Sequence, residues 1–239
     1  MKLYYDKGHP LFAKFITKTS LSDLVYYPWT FGVMPCIQSF FYILKEEATK
    51  SAFDMKFERD LITLSDGGTA GIDWNVEEDG GGRPAKDDKR PILLMYPGIS
   101  GKVNNLYTMN MFWEAGKRGF KCGTVIFRGS DVEGIPITSG KFASACAWGD
   151  ATEITNWVVD RYVKPEGTKT RNIYAYGCSL GAQILANQIS EEGKTSNYDG
   201  ALLYATPWNQ AGATEFAFSY GFGIYAWVIG MNVNRIVRR

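Results

Sequence analysis

The run Tyr174-Ala175-Tyr176-Gly177-Cys178-Ser179-Leu180-Gly181-Ala182 constrains this chain more than any other stretch. Residues 172–176 read as a β-strand, residues 180–191 follow a helical period, and only Gly177-Cys178-Ser179 separates the two patterns. A backbone that turns from strand to helix so abruptly leaves no room for side chains at Gly177 and Gly181. Ser179 is then expected in a strained conformation with its Oγ exposed above a sheet. The same bend aims a helix N-terminus at the serine, so free N–H groups, beginning with that of Leu180, can stabilise a negatively charged oxygen. Cys178 adjoins the serine but points elsewhere in such a turn. A Gly-rich packing turn is the simpler account of a G-x-S-x-G string; its position between strand and helix favours the functional one.

The rest of the chain supplies the sheet that such a turn needs. Residues 57–64 and 69–76 are short β-like runs joined by Ser65-Asp66-Gly67-Gly68, a hairpin-type turn, so the sheet begins antiparallel. Residues 79–90 (DGGGRPAKDDKR) read as a solvated loop. Residues 91–96 (PILLMY) form the continuous apolar run of a strand buried on both faces. A helix is predicted from about residue 105, with Leu106, Met109, Phe112 and Trp113 on one stripe, ending in the segment 116–119. The cycle repeats: strand at 121–127, helix marked by Ala151, Ile154, Thr155, Val158 and Tyr162 with Asp150 in its first turn, strand at 172–176, helix at 180–191, strand at 200–205. This alternation predicts an α/β fold of six strands, mostly parallel, with helices on both faces. The segment Tyr96-Pro97-Gly98-Ile99-Ser100-Gly101 follows an early central strand. There Gly98 lets backbone approach a substrate, and the Ile99 N–H is the expected second donor beside that of Leu180.

Composition narrows the function classes. Lys and Arg number 26 against 25 Asp and Glu, a net charge of +1, which gives no electrostatic footprint for a nucleic acid. Cys36, Cys122, Cys146 and Cys178 contain no C-x-x-C pair, so neither a zinc site nor a disulfide framework is expected, and a reducing compartment suits them. No P-loop string is present, and no cofactor or metal is expected. A secretory signal is absent by pattern, which places the chain in the cytoplasm or on the cytosolic side of a membrane. Residues 24–44 and 216–234 carry no charge and approach the length of a membrane span. Pro28 and Pro35 interrupt the first, and Gly221, Gly223 and Gly230 the second. Each is therefore read as a buried or interfacial segment, with a spanning helix the alternative.

Together these motifs resemble the α/β-hydrolase-domain (ABHD) group, which includes monoacylglycerol lipases, medium-chain ethyl-ester hydrolases and phospholipase-like members. The resemblance runs over roughly residues 23–230. It rests on Tyr27-Pro28-Trp29 through Gln38, on residues 58–74 (ERDLITLSDGGTAGIDW), and on Pro97 to Gly101. It continues through Phe127-Arg128-Gly129, Gly177 to Ala182, Glu191-Glu192-Gly193 and Pro207-Trp208-Asn209. It implies the α/β-hydrolase fold with its last two strands absent from this chain: an N-terminal arm at 1–56, the core at 57–210, and the start of a lid segment at 211–239. It further implies a serine carboxylic-ester hydrolase acting on lipid-like esters, with Ser179 as nucleophile and Ile99 and Leu180 framing the oxyanion hole. Phe216, Phe222 and Trp227 would then meet a membrane surface. Members of the group also carry an acid and a histidine beyond the lid. Here the single histidine, His9, lies in the N-terminal arm and reads as a surface or packing residue, and Asp199 precedes its strand on the wrong edge for a triad acid. Without a base the serine proton has no acceptor matched to neutral pH. A non-catalytic binding or assembly protein is therefore the alternative.

Overall fold

The computed structural model describes residues 4, 6–19, 23, 25, 38, 41, 55–77, 82–99, 101, 103, 105–130, 134–219, 223, 226–227, 230–231 and 234. The chain divides into two compact units, Met1–Lys45 and Glu46–Arg239. In the first, a helix α1 (Pro10–Lys18) is followed by Thr19, whose N–H closes the last turn on the Phe15 carbonyl at 3.0 Å.

The second unit is built on a six-stranded sheet. Strands β1 (Phe57–Thr63) and β2 (Thr69–Asn75) form an antiparallel hairpin, with Phe57 opposite Asn75 and Thr63 opposite Thr69. Its turn is the expected one: the Leu64 N–H donates to the Gly68 carbonyl (2.7 Å), and Gly67 takes a φ of +81°, which costs a residue without Cβ nothing. Next come β3 (Ile92–Tyr96), α2 (Leu106–Gly116), β4 (Lys121–Ile126), α3 (Trp148–Val158), β5 (Ile173–Cys178), α4 (Leu180–Glu192), β6 (Gly200–Tyr204) and α5 (Gln210–Ser219). The strand order is β1-β2-β4-β3-β5-β6. Strand β2 alone runs against the others, pairing antiparallel with both β1 and β4, whereas β4, β3, β5 and β6 are mutually parallel.

Period-two alternation divides the central strands between two cores. Ile92, Leu94 and Tyr96 face α3 and α4 together with Val125, Ile154, Val158 and Leu185. Leu93 and Met95 face the opposite way, onto Phe112 and Ala115 of α2. Helices therefore cover both faces, as the run PILLMY required. Ala151, Ile154, Thr155, Val158 and Tyr162 are all buried, the last in a π-helical turn (Val159–Val163) that extends α3.

Two expectations need correction. Trp113 is not buried with the rest of the α2 stripe; it is exposed, with Lys117 Nζ over its ring at 4.6 Å, because the buried face centres on Thr108, Met109, Phe112 and Ala115 and Trp113 lies at its margin, about 100° round the helix from Phe112. The loop at 79–90 is not simply solvated. Among its described residues Gly82 and Pro84 are buried, and the Arg83 guanidinium binds Glu58, Asp60 and the Arg59 carbonyl. Arg83 thus binds the β1–β2 hairpin, whereas Lys86, Asp87 and Lys89 are exposed as expected.

Among the described residues β6 is an edge strand, with Leu202 59% and Tyr204 62% exposed. An apolar groove of about 520 Å³ lies beside it, lined by Leu93, Met111, Phe120, Tyr174 and Leu202. Neither Ser179 nor Gly98 borders this groove.

Candidate active site

At the carboxyl end of β5, Ser179 has φ 52° and ψ −118°, a conformation that costs a non-glycine residue about 1–3 kcal/mol. Three restraints hold it. Its N–H donates to the Tyr204 carbonyl of β6 (2.9 Å), its carbonyl accepts from Gln183 in the first turn of α4 (3.1 Å), and β5 pairs with β3 on one side and β6 on the other. The flanking glycines are sterically required. A Cβ on Gly177 would stand 2.6 Å from Ala182 Cα, and one on Gly181 would overlap the carbonyl oxygens of Tyr96 and Pro97. All of these are backbone atoms, which cannot rotate aside.

The loop after β3 meets this turn. A Cβ on Gly98 would lie 3.3 Å from Ser179 Cβ and 3.9 Å from its Oγ, so the glycine is the point where the two segments touch. The loop is tied down by its own backbone (Gly101 N–H to Gly98 carbonyl, 2.8 Å) and by the Gly98 N–H donating to the Tyr107 hydroxyl (3.2 Å). Ile99 follows with its side chain exposed, and Leu180 opens α4 half-buried. Helix α4 runs 13 residues away from Ser179, so the positive end of its dipole and its unpaired first-turn N–H groups face the serine.

The other sequence candidates fall elsewhere. Cys178 is half-buried against the α2-side core, and burial pushes its thiol above the usual value, which disfavours the thiolate. Asp199 sits at the start of β6, where its carboxylate accepts from the Ile173 N–H (2.8 Å) and binds Lys169. A strand of six residues rises about 20 Å, so Asp199 and Ser179 occupy opposite ends of β5. His9 is the exposed N-cap of α1 in the first unit. In α5, Phe216 and Phe218 are exposed, as is Trp227 beyond it, whereas Phe222 lies outside the described residues.

Sequence reasoning missed the layer beneath the turn. The Tyr96 hydroxyl is hydrogen-bonded to Tyr198 (2.6 Å), Thr155 (3.0 Å) and the Gln188 carbonyl oxygen (3.0 Å), joining β3, α3 and α4 in the core. Burial pushes the Tyr96 phenol up to about 12, so the network stays neutral and fully hydrogen-bonded at physiological pH. A second omission is Arg128 at the end of β4. Its buried guanidinium binds Asp150 through Nε and Nη2 (2.7 Å each) and Asp66 through Nη1 (2.9 Å), fastening the hairpin turn and the start of α3 to the sheet. These partners are 62 and 22 residues distant, and their only sequence signal was Phe127-Arg128-Gly129 in the resemblance.

A strained serine between required glycines, on a strand-to-helix turn of a sheet ordered β1-β2-β4-β3-β5-β6, defines an α/β-hydrolase fold. Comparison with known proteins agrees. The chain is 30% identical over 162 residues to protein abhd-3.2 of Caenorhabditis elegans, an alignment covering 67% of this chain and 40% of that protein. It is 22% identical over 161 residues to phospholipase ABHD3 of Homo sapiens, covering 67% and 37% respectively. The solved esterase Pf2001 of Pyrococcus furiosus superposes with a TM-score of 0.52 at 16% identity, covering 77% of this chain and 64% of that one, which concerns the fold alone. No family model matches. The chain belongs to the α/β-hydrolase-domain (ABHD) family. It spans about 40% of the length of the curated relatives it matches.

Proposed function

We propose that this chain carries the nucleophile-bearing part of a serine carboxylic-ester hydrolase acting on lipid-like esters. The observation that carries the reading is the backbone of Ser179, a non-glycine residue held at φ 52° against Gly98 at the mouth of a helix N-terminus. Strain of this kind persists only where surrounding structure over-determines it, and it holds Oγ clear of the helix and open to attack a carbonyl. In the proposed reaction Ser179 Oγ bonds to the ester carbonyl carbon while its proton passes to a general base. The Ile99 and Leu180 N–H groups hold the tetrahedral oxygen. The alcohol then leaves with that proton, and water cleaves the acyl-enzyme to release the acid. Residues 46–239 contain no histidine, so this unit supplies no histidine base.

Residues 57–210 act in this reading as the core, 1–56 as an arm and 211–239 as the beginning of a lid. Exposed Phe216 and Trp227, with Phe222 between them in sequence, give that lid its apolar, membrane-facing surface on the cytosolic side. The relative named as a phospholipase supports a lipid ester as substrate. The second reading, a non-catalytic binding or assembly protein, is favoured by one observation: His9 is the single histidine of the chain.

Hydrolysis of p-nitrophenyl butyrate by the chain, with and without added imidazole as a surrogate base, separates the two. The enzyme reading expects imidazole-stimulated turnover that Ser179→Ala abolishes. Equal rates for both proteins under both conditions would overturn it. Replacing Phe222 and Trp227 by serine is expected to weaken long-chain ester turnover while sparing the butyrate; equal losses would assign those side chains to structure instead.

A further inference from the structure

The loop after β3 is folded around one side-chain oxygen, the Tyr107 hydroxyl. The tyrosine ring, half-buried in the first turn of α2, packs against the core that contains Met95, Val103 and Phe112, which fixes the hydroxyl in place. That oxygen accepts the Gly98 N–H at 3.2 Å. It also fills the space at Gly101, where an added Cβ would stand 2.7 Å from it, 2.6 Å from Pro97 Cβ and 2.8 Å from the Gly98 carbonyl oxygen. One hydroxyl therefore touches both ends of the turn that the Gly101 N–H closes on the Gly98 carbonyl at 2.8 Å.

These contacts decide which way the backbone groups face. A peptide unit is planar and trans, so its N–H points opposite to its C=O. The Gly98 carbonyl turns inward to Gly101, and the Ile99 N–H of the same unit therefore points out of the turn. Among the described residues no acceptor receives that N–H. The Gly98 N–H behaves in the opposite way: Tyr107 takes it up, which withdraws it from any substrate oxygen. Gly98 is also the residue in contact with Ser179, since an added Cβ there would lie 3.3 Å from the serine Cβ. An orientation set at Gly98 is thus set beside the nucleophile.

We propose that Tyr107 is a positioning residue of the oxyanion hole, its hydroxyl occupying the Gly98 N–H and holding the loop so that, from this side, the Ile99 N–H alone is presented to the substrate's carbonyl oxygen. This role rests on the reading of Ser179 as nucleophile and gives Tyr107 no contact with substrate. A donor held in place beforehand needs no reorientation as charge develops on the oxygen, and a loop whose Gly98 peptide can rotate loses that advantage. Removing the hydroxyl leaves the donor present but less well aimed. The loss in rate is therefore smaller than the roughly hundred- to thousandfold that follows from deleting a donor outright.

Tyr107→Phe keeps the ring and deletes the oxygen. Amide exchange followed by NMR on the isotope-labelled full chain should show the Gly98 N–H exchanging at least about fivefold faster, the effect of one lost neutral hydrogen bond. In the imidazole-assisted butyrate assay, taken above the Ser179→Ala blank, kcat should fall about tenfold with KM within about twofold, as for an interaction that acts only in the transition state. Tyr174→Phe is the control. Its ring packs on the same core, but its hydroxyl meets Asn172 at the end of β5 opposite Ser179, and neither readout should move. Gly98 exchange within about twofold of wild type in Tyr107→Phe would overturn the inference, because the hydroxyl would not be what holds the loop. So would a kcat within about twofold of wild type, or a raised KM at unchanged kcat, which would place Tyr107 in substrate binding instead. Absence of Ser179-dependent turnover in wild type is a separate failure, that of the nucleophile reading, and Gly98 exchange then decides alone whether Tyr107 sets the loop.

Discussion

Gly177→Ala tests whether the turn at Ser179 is as tightly determined as the geometry states. The added Cβ would stand 2.6 Å from Ala182 Cα, 3.0 Å from its nitrogen and 3.1 Å from the Gly181 carbonyl oxygen. Ordinary contact begins near 3.4 Å, so the first turn of α4 has to move by about 0.8 Å against the end of β5. Every atom in the way is backbone, and β5 is held by β3 and β6 on its two sides, so no rotamer change relieves the overlap. Gly177 does not have a positive φ, which leaves sterics as the whole effect. Overpacking of this kind costs about 3 kcal/mol. With a urea m-value of about 2 kcal/mol/M, the unfolding midpoint should fall by about 1.5 M. Tryptophan fluorescence at micromolar concentration reads it, with Gly116→Ala as control. At Gly116, the last residue of α2, an added Cβ meets nothing within 4 Å, and stability should rise by about 0.5 kcal/mol. A Gly177→Ala midpoint within about 0.2 M of wild type would refute the claim that this glycine is required.

Arg128→Met leaves Asp66 and Asp150 facing a site without its cation and should cost about 3 kcal/mol, read as a urea midpoint. Hydrogen bonds from Arg128 and then Lys141 hold the Asp66 carboxyl well below its ordinary 3.8, so the stability it lends is complete above that value and lost as pH falls below it. The variant should accordingly show a shallower loss of stability between about pH 4 and pH 2 than wild type, followed by circular dichroism. Tyr96→Phe removes the hydroxyl shared by Thr155, Gln188 and Tyr198 and should destabilise by about 1–3 kcal/mol, with an unchanged fold by far-UV spectra. Leu202→Lys, on the exposed edge strand, should raise the concentration at which light scattering first detects self-association, since a charge there opposes strand addition.

Local pattern was sufficient for the order and type of the strands and helices from β1 to β6, though it did not predict α5 (Gln210–Ser219). The hairpin turn needed only Gly67 and Gly68, the doubly buried β3 only an unbroken apolar run, and the turn at Ser179 only two glycines between a strand and a helix, because each of these is decided by short-range sterics and side-chain period. What sequence could not supply were partners set by the sheet order. Because β4 inserts between β2 and β3, Arg128 comes within reach of Asp66 and Asp150; because β5 lies between β3 and β6, Tyr96 meets Tyr198 102 residues away and Gly98 meets Ser179. The same assembly put Trp113 outside and drew Arg83 onto the hairpin, against the local pattern in both cases. A turn is fixed by the backbone freedom of a few adjacent residues, whereas the neighbours of a buried charge or hydroxyl are fixed by which strands pair, and that choice depends on the whole chain at once.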